Sequence, residues 1–156
     1  MLLKEIIRTG SCLVLPERLS RDELLERMVT ALFHSGRCPI PDAQAAVAEI
    51  LRREAHASTA FGLGVAIPHC FLADVGSPYL AVACSRPGVD FQALDGKPTH
   101  VVFLLVEDTA ARGRHTTLIS RIARLCGQTP LLRRLREARD PEAVAAILAE
   151  EDSALD

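Results

Sequence analysis

Residues 101–106, Val-Val-Phe-Leu-Leu-Val, form an unbroken apolar run between His100 and Glu107. The run is far too short to cross a bilayer, which takes about 20 apolar residues. Successive side chains of a strand point to opposite faces. A strand apolar at every position must therefore be covered on both faces. The rest of the chain has to supply two covers, and its periodicity shows how. Residues 22–33 carry apolar side chains at 24, 25, 28, 29, 32 and 33, which is helical spacing, with Ser20 as cap and Ser35-Gly36 as stop. Ile40-Pro41-Asp42 opens a second helix with Pro41 near its first positions, and Ala46, Val47, Ile50 and Leu51 form its stripe. It stops near Ala57. Residues 111–126 are helical again, with Leu118, Ile119, Ile122, Ala123, Leu125 and Cys126 on the buried face and Gly127 as C-cap. Thr129-Pro130 and Asp140-Pro141 open two further helices, and residues 150–156 read as a frayed acidic tail. Residues 65–67, stopped by Pro68, and residues 79–85 are further strands, with a turn at Asp95-Gly96. Strands interleaved with helices predict a single α/β sandwich over residues 1–156.

Composition narrows the function. Aromatics are 4% of the chain and tryptophan is absent, which argues against aromatic platforms for single-stranded nucleic acid. A net charge of −2 gives no strong pull toward DNA or an anionic membrane. The start, Met1-Leu2-Leu3-Lys4-Glu5, breaks into charge before a signal-peptide core could form. The five cysteines (12, 38, 70, 84 and 126) are odd in number and form no CxxC pair, so neither a disulfide framework nor structural zinc is expected. These features predict a cytoplasmic chain with reduced thiols and no membrane insertion.

His69 follows a short apolar strand and Pro68, with Gly62 and Gly64 just upstream. A strand end is where α/β folds gather their sites, and a neutral imidazole is a competent nucleophile. A structural histidine at a strand end is the other reading. His115 precedes Leu118, Ile119 and Ile122 in the first turn of its helix, where the positive helix end favours a nearby anion; it also reads as a core histidine. Arg53 offers a guanidinium fork to a phosphoryl group or is a solvated charge. Ser58 and Thr59 donate hydroxyls to such a group or shape a turn. Cys70 reads as an inert buried thiol rather than a nucleophile or a metal ligand. Residues 112–139 hold eight arginines against Glu137, and they read as a solvated face balanced by the acidic tail, not as a nucleic-acid surface.

Taken together, Arg53-Glu54-x-x-x-Ser58-Thr59-x-x-Gly62-x-Gly64-Val65-Ala66-Ile67-Pro68-His69 resembles the active-site segment of the fructose/mannitol-type IIA (EIIA type-2) domains of the phosphoenolpyruvate-dependent sugar phosphotransferase system. That family includes the nitrogen-regulatory IIA protein. Ala93 to Pro98, ALDGKP, and His115-x-x-Leu118-x-Ser120-x-Ile122-Ala123 are similar to it too. The resemblance implies a mixed β-sheet flanked by helices on both faces. It implies that His69 accepts a phosphoryl group from the phosphohistidine of HPr or a paralogue. His69 would then pass it to a IIB domain or hold it as a regulatory mark. His115 would bond the group or tune the imidazole, Arg53 would neutralise its charge, and Thr59, Ser58 and backbone amides near Gly62 and Gly64 would complete the cradle. No metal and no cofactor is implied. Ile67 and Phe61 are expected as apolar neighbours that keep water from the site. The chain holds no IIB or membrane IIC segment, so it is expected to act through separate partners. The contrasting expectation is a non-catalytic protein-binding module on the same fold. Departures from the family are Ala60 and Cys70, where glycine is common, and Glu107-Asp108, where an apolar residue and then Pro are usual. The last pair brings two acids toward the helix that bears His115.

Overall fold

The computed structural model describes residues 1–34 and 38–155. The expected stop at Ser35-Gly36 lies outside the described residues. A mixed sheet forms the middle layer. β1 (Ile7–Leu15) runs parallel to β5 (Tyr79–Val89), β5 antiparallel to β6 (Thr99–Asp108), and β6 parallel to β3 (Val65–Ala66), which β2 (Ala60–Gly62) joins as an antiparallel edge. β4 (His69–Leu72) also pairs with β6, in parallel.

Residues 101–106 do lose water on both faces. Val102, Leu104 and Val106 pack into one core with α2 (Arg21–His34) and α3 (Ala43–His56). Val101, Phe103 and Leu105 pack into the other with α1 (Leu3–Ile6), α4 (His115–Gln128), α5 (Leu131–Glu137) and α6 (Pro141–Ala154). The alternation along one strand thus feeds two separate cores.

Caps set several boundaries as expected. The Ser20 hydroxyl accepts from Glu23 N, and Asp140 accepts from Ala143 N with Pro141 opening α6. Other expectations are corrected. Asp42, not Pro41, starts α3: its carboxylate accepts from Ala45 N, and Pro41 lies before the cap. Gly127 stays inside α4, which ends at Thr129, whose hydroxyl donates to Leu125 O and accepts from Leu131 N. Ala123 is exposed rather than buried. The first part of the helix expected over 111–126 is a 3-10 turn over Thr109–Arg114.

Residues 150–154 are not frayed. α6 continues to Ala154, and Asp152 is fully buried. Its carboxylate accepts from Lys4 N and from Arg121 Nε at 3.0 and 2.5 Å, which ties the last helix to α1 and α4. Arg134 reaches Glu150 and Glu151 in the same segment. Arg121 and Arg134 are thereby committed to ion pairs with the acidic segment. No helix among the described residues is long and apolar enough to cross a membrane.

Candidate functional site

β3 and β4 lie in line along the same edge of β6. Val65 pairs with Val101 and His69 with Leu105, so four residues advance on both strands and the register is kept across Ile67-Pro68. Pro68 has no N–H to offer, but its carbonyl accepts from Leu105 N at 3.0 Å. His69 therefore opens β4 on a backbone fixed from both sides.

The imidazole is partly buried, and its Nδ1 lies 3.0 Å from Ile67 O. A carbonyl can only accept, so Nδ1 carries the hydrogen and Nε2 keeps the lone pair. Burial pushes the His69 pKa below its ordinary 6.5; the bond to Ile67 O opposes the shift, and His115 and Arg53 add to it. The neutral ring is the nucleophilic form, and it prevails at neutral pH.

His115 stands beside it, with ring centroids 4.5 Å apart. It is the first residue of α4, and its Nδ1 is paired with the Glu107 carboxylate. Phe71 packs edge-on to both histidines, at 5.1 Å from His115 and 6.3 Å from His69, and Arg112 lies over the Phe71 ring at 4.1 Å. Phe71, not Phe61, is the apolar neighbour; Phe61 is exposed on the edge strand β2. The signal was present in His69-Cys70-Phe71: residues two apart on a strand share a face. It was hidden because Pro68 reads as a strand stop. Cys70, between them, points into the α2–α3 core, and burial pushes its thiol up to about 12, so it is no nucleophile.

Arg53 sits in the last turn of α3, within electrostatic reach of His69. Its guanidinium gives one N–H to Ala57 O, which leaves most of its five donors for a ligand. Glu54, unassigned from sequence, is buried and accepts from both the backbone N–H and the hydroxyl of Thr59. Thr59 is thus near the site, but its hydroxyl is spent on Glu54. Ser58 donates to Phe91 O and accepts from Ala60 N, which is the turn-shaping reading. Gly62 and Gly64 are not beside His69. With Leu63 they form a left-handed turn (φ 99°, 60° and 72°) between β2 and β3, and Gly64 O accepts from His100 N and Val101 N. Gly64 is five residues from His69, about 16 Å along the sheet. Asp108 is turned to the loops: it accepts from Gly76 N and Ala110 N, and these bonds hold its carboxyl below the usual range. No group of three His, Cys, Asp or Glu among the described residues could hold a metal ion.

A neutral imidazole with one free nitrogen, a second imidazole against it and a guanidinium nearby suit a group that is anionic and transferable. Comparison with known proteins points the same way. Residues 5–151 match the family profile described as "Phosphoenolpyruvate-dependent sugar phosphotransferase system, EIIA 2". A nitrogen regulatory protein of Pseudomonas aeruginosa is 35% identical over 148 residues, covering 95% of each chain. The fructose-specific EIIABC component of Bacillus subtilis is 35% identical over 87% of this chain, which spans 21% of that larger protein. The crystal structure of the nitrogen regulatory protein IIA-Ntr from Neisseria meningitidis superposes with a TM-score of 0.83 at 29% identity, over 94% of this chain and 98% of that one. IIA mannitol of Escherichia coli, at 16% identity and a TM-score of 0.73, shares the fold, covering 91% of this chain and 98% of that one. With the profile spanning all but the two ends and the fold matching throughout, the chain belongs to the EIIA type-2 family of the phosphoenolpyruvate-dependent sugar phosphotransferase system, whose members are phosphotransfer and regulatory components of that system.

Proposed function

We infer that the protein carries a phosphoryl group on Nε2 of His69. The single observation that supports this most is the bond between His69 Nδ1 and Ile67 O, which leaves Nε2 as the one ring nitrogen with a free lone pair. In the proposed step the Nε2 lone pair attacks phosphorus on the phosphohistidine of an HPr-like carrier. The new N–P bond forms as the donor's N–P bond breaks, and the donor ring keeps the leaving electron pair. Nδ1–H of His69 stays on Ile67 O throughout. The protein's task is placement and charge balance rather than covalent chemistry. Arg53 meets the charge of the transferring oxygens, and Phe71 shields the new bond from water on one side.

The same geometry run in reverse delivers the group to an acceptor. One solved relative of the same fold is a complex of IIA mannitol with phosphorylated IIB mannitol from Escherichia coli. A IIB domain is therefore one acceptor class for this chain. The match to the nitrogen regulatory protein of Pseudomonas aeruginosa over 95% of its length supports the other use, in which the phosphorylated state is itself the signal. Both readings place the protein in the cytoplasm, where such donors act.

Intact mass tests the proposal. The chain is incubated with phosphoenolpyruvate, enzyme I and HPr, and an acid-labile gain of one phosphoryl group is expected. No gain with an active cognate donor would favour the protein-binding module instead. The state of the acceptor ring gives a second check. Because the folded pKa of His69 lies below 6.5, the neutral ring and the stability it contributes are fully present above pH 6.5. Both are lost as the pH falls through the folded value. An NMR titration of the His69 ring should give a midpoint below 6.5; a midpoint above it would contradict the desolvated acceptor.

A further inference from the structure

Glu107 is the residue that the carrier reading does not use. Its carboxylate is buried within the sheet, with side-chain exposure of 2%, and its partner among the described residues is His115. A carboxylate buried this deeply is costly unless something answers its charge or its lone pairs. The chain places an acid there on β6, in register with Phe71 of β4, at a position where the family resemblance leads one to expect an apolar residue. An apolar side chain could answer none of the needs of a neighbouring imidazole.

Three observations converge on one role. First, a carboxylate can only accept, so the Glu107 partner fixes the hydrogen of His115 on Nδ1 and makes Nε2 the variable nitrogen. Second, the His115 ring lies against the His69 ring at 4.5 Å, close enough for His115 to meet a group attached to His69. Third, Phe71 packs on both rings, so rotation of His115 away from Glu107 would cost packing as well as a hydrogen bond.

We propose that Glu107 is a positioning residue for phosphoryl transfer: it fixes the tautomer and orientation of His115, so that Nε2 of His115 bonds a phosphoryl oxygen on His69, and it balances the charge of the ring when Nε2 is protonated. This rests on the carrier reading. The proton at Nε2 comes from water as the dianionic group arrives and returns to water as it leaves, so the cycle is balanced. Charge and tautomer are both set by the carboxylate, and a neutral amide of the same shape supplies neither. An amide can donate as well as accept, which lets the His115 hydrogen move to Nε2 and removes the acceptor for a second proton.

The test uses the full chain and a phosphorylated HPr-type donor, with the label on His69 followed in time. Glu107→Gln is expected to lower the limiting transfer rate about tenfold to a hundredfold, the usual cost of losing a partner that orients a functional histidine, while the donor concentration for half-saturation stays the same. Glu107→Asp, which keeps a carboxylate, is expected to recover most of the rate. In a His115→Gln background, Glu107→Gln is expected to add no further loss, because the carboxylate acts through that ring. Nitrogen-15 NMR of the unphosphorylated protein should show His115 protonated at Nδ1, and this measurement needs no variant to fold. An equal rate in folded Glu107→Gln, an additive loss in the double variant, or a bare Nδ1 in the wild type would each overturn the role of Glu107 while leaving the carrier reading intact. Absence of label on wild-type His69 would overturn the carrier reading and this role with it.

Discussion

Alanine at position 69 is expected to abolish acid-labile phosphorylation, with a loss of at least about a thousandfold in the rate of label uptake. The reason is chemical rather than structural. In the proposed step the Nε2 lone pair is the group that forms the new bond, and no neighbour is expected to take its place in line. His115 is the other imidazole at the site; its Nδ1 is held by Glu107, and in the proposed cycle its Nε2 bonds a phosphoryl oxygen on His69 rather than phosphorus. His69→Ala removes a partly buried side chain at the start of a four-residue strand, so the fold should survive, and far-UV circular dichroism and the urea midpoint check that it does. Undiminished labelling of a folded His69→Ala would remove the assignment. Label moved to His115 would be visible by peptide mapping and would have the same consequence.

The largest expected loss of stability is at the other end of the chain. Asp152→Ala should destabilise the protein by about 3–5 kcal/mol, read as a shift in the urea midpoint. Asp152 is fully buried, and its carboxylate receives both Lys4 N and Arg121 Nε. Removing it takes a counter-charge from a guanidinium whose side chain is 12% exposed and leaves a part-buried backbone donor without its acceptor. A shift below about 1 kcal/mol would mean that water replaces the carboxylate freely. Asp152→Asn keeps an acceptor for Lys4 N but not the charge, so it should fall between alanine and wild type.

That prediction exposes where the sequence was opaque. Residues 150–156 are acidic and follow an alanine-rich helix, which locally resembles a solvated end. The arginines that make Glu151 and Asp152 worth burying lie 17 to 31 residues earlier, and nothing local announces the pairing. The apolar run at 101–106, by contrast, carries its own constraint: alternation leaves both faces apolar, so two covers follow. His69, His115 and Arg53 were legible because chemistry, spacing and resemblance coincide on them. Phe71 and Glu54 were not, since one sits past a proline that reads as a stop and the other hides on a helix among charged neighbours. Gly62 and Gly64 were legible as glycines with a purpose but not as to which one. Their left-handed φ angles serve the β2–β3 turn, not a phosphoryl cradle. β1 was missed for a local reason also: Gly10 and Ser11 break its apolar pattern, and its pairing with β5 shifts register between Ile7 and Cys12.

The break at Pro68 has a consequence for timing. Because β3 and β4 hold one register along β6 and the Pro68 carbonyl bridges to Leu105 N, the ring proposed to accept the group hangs from backbone hydrogen-bonded into the sheet. No segment has to fold over the ring before the bond can form. The slow step in passing a phosphoryl group through such a protein is then the meeting of two macromolecules. Turnover should rise with partner concentration and fall with solvent viscosity, as a diffusional encounter does.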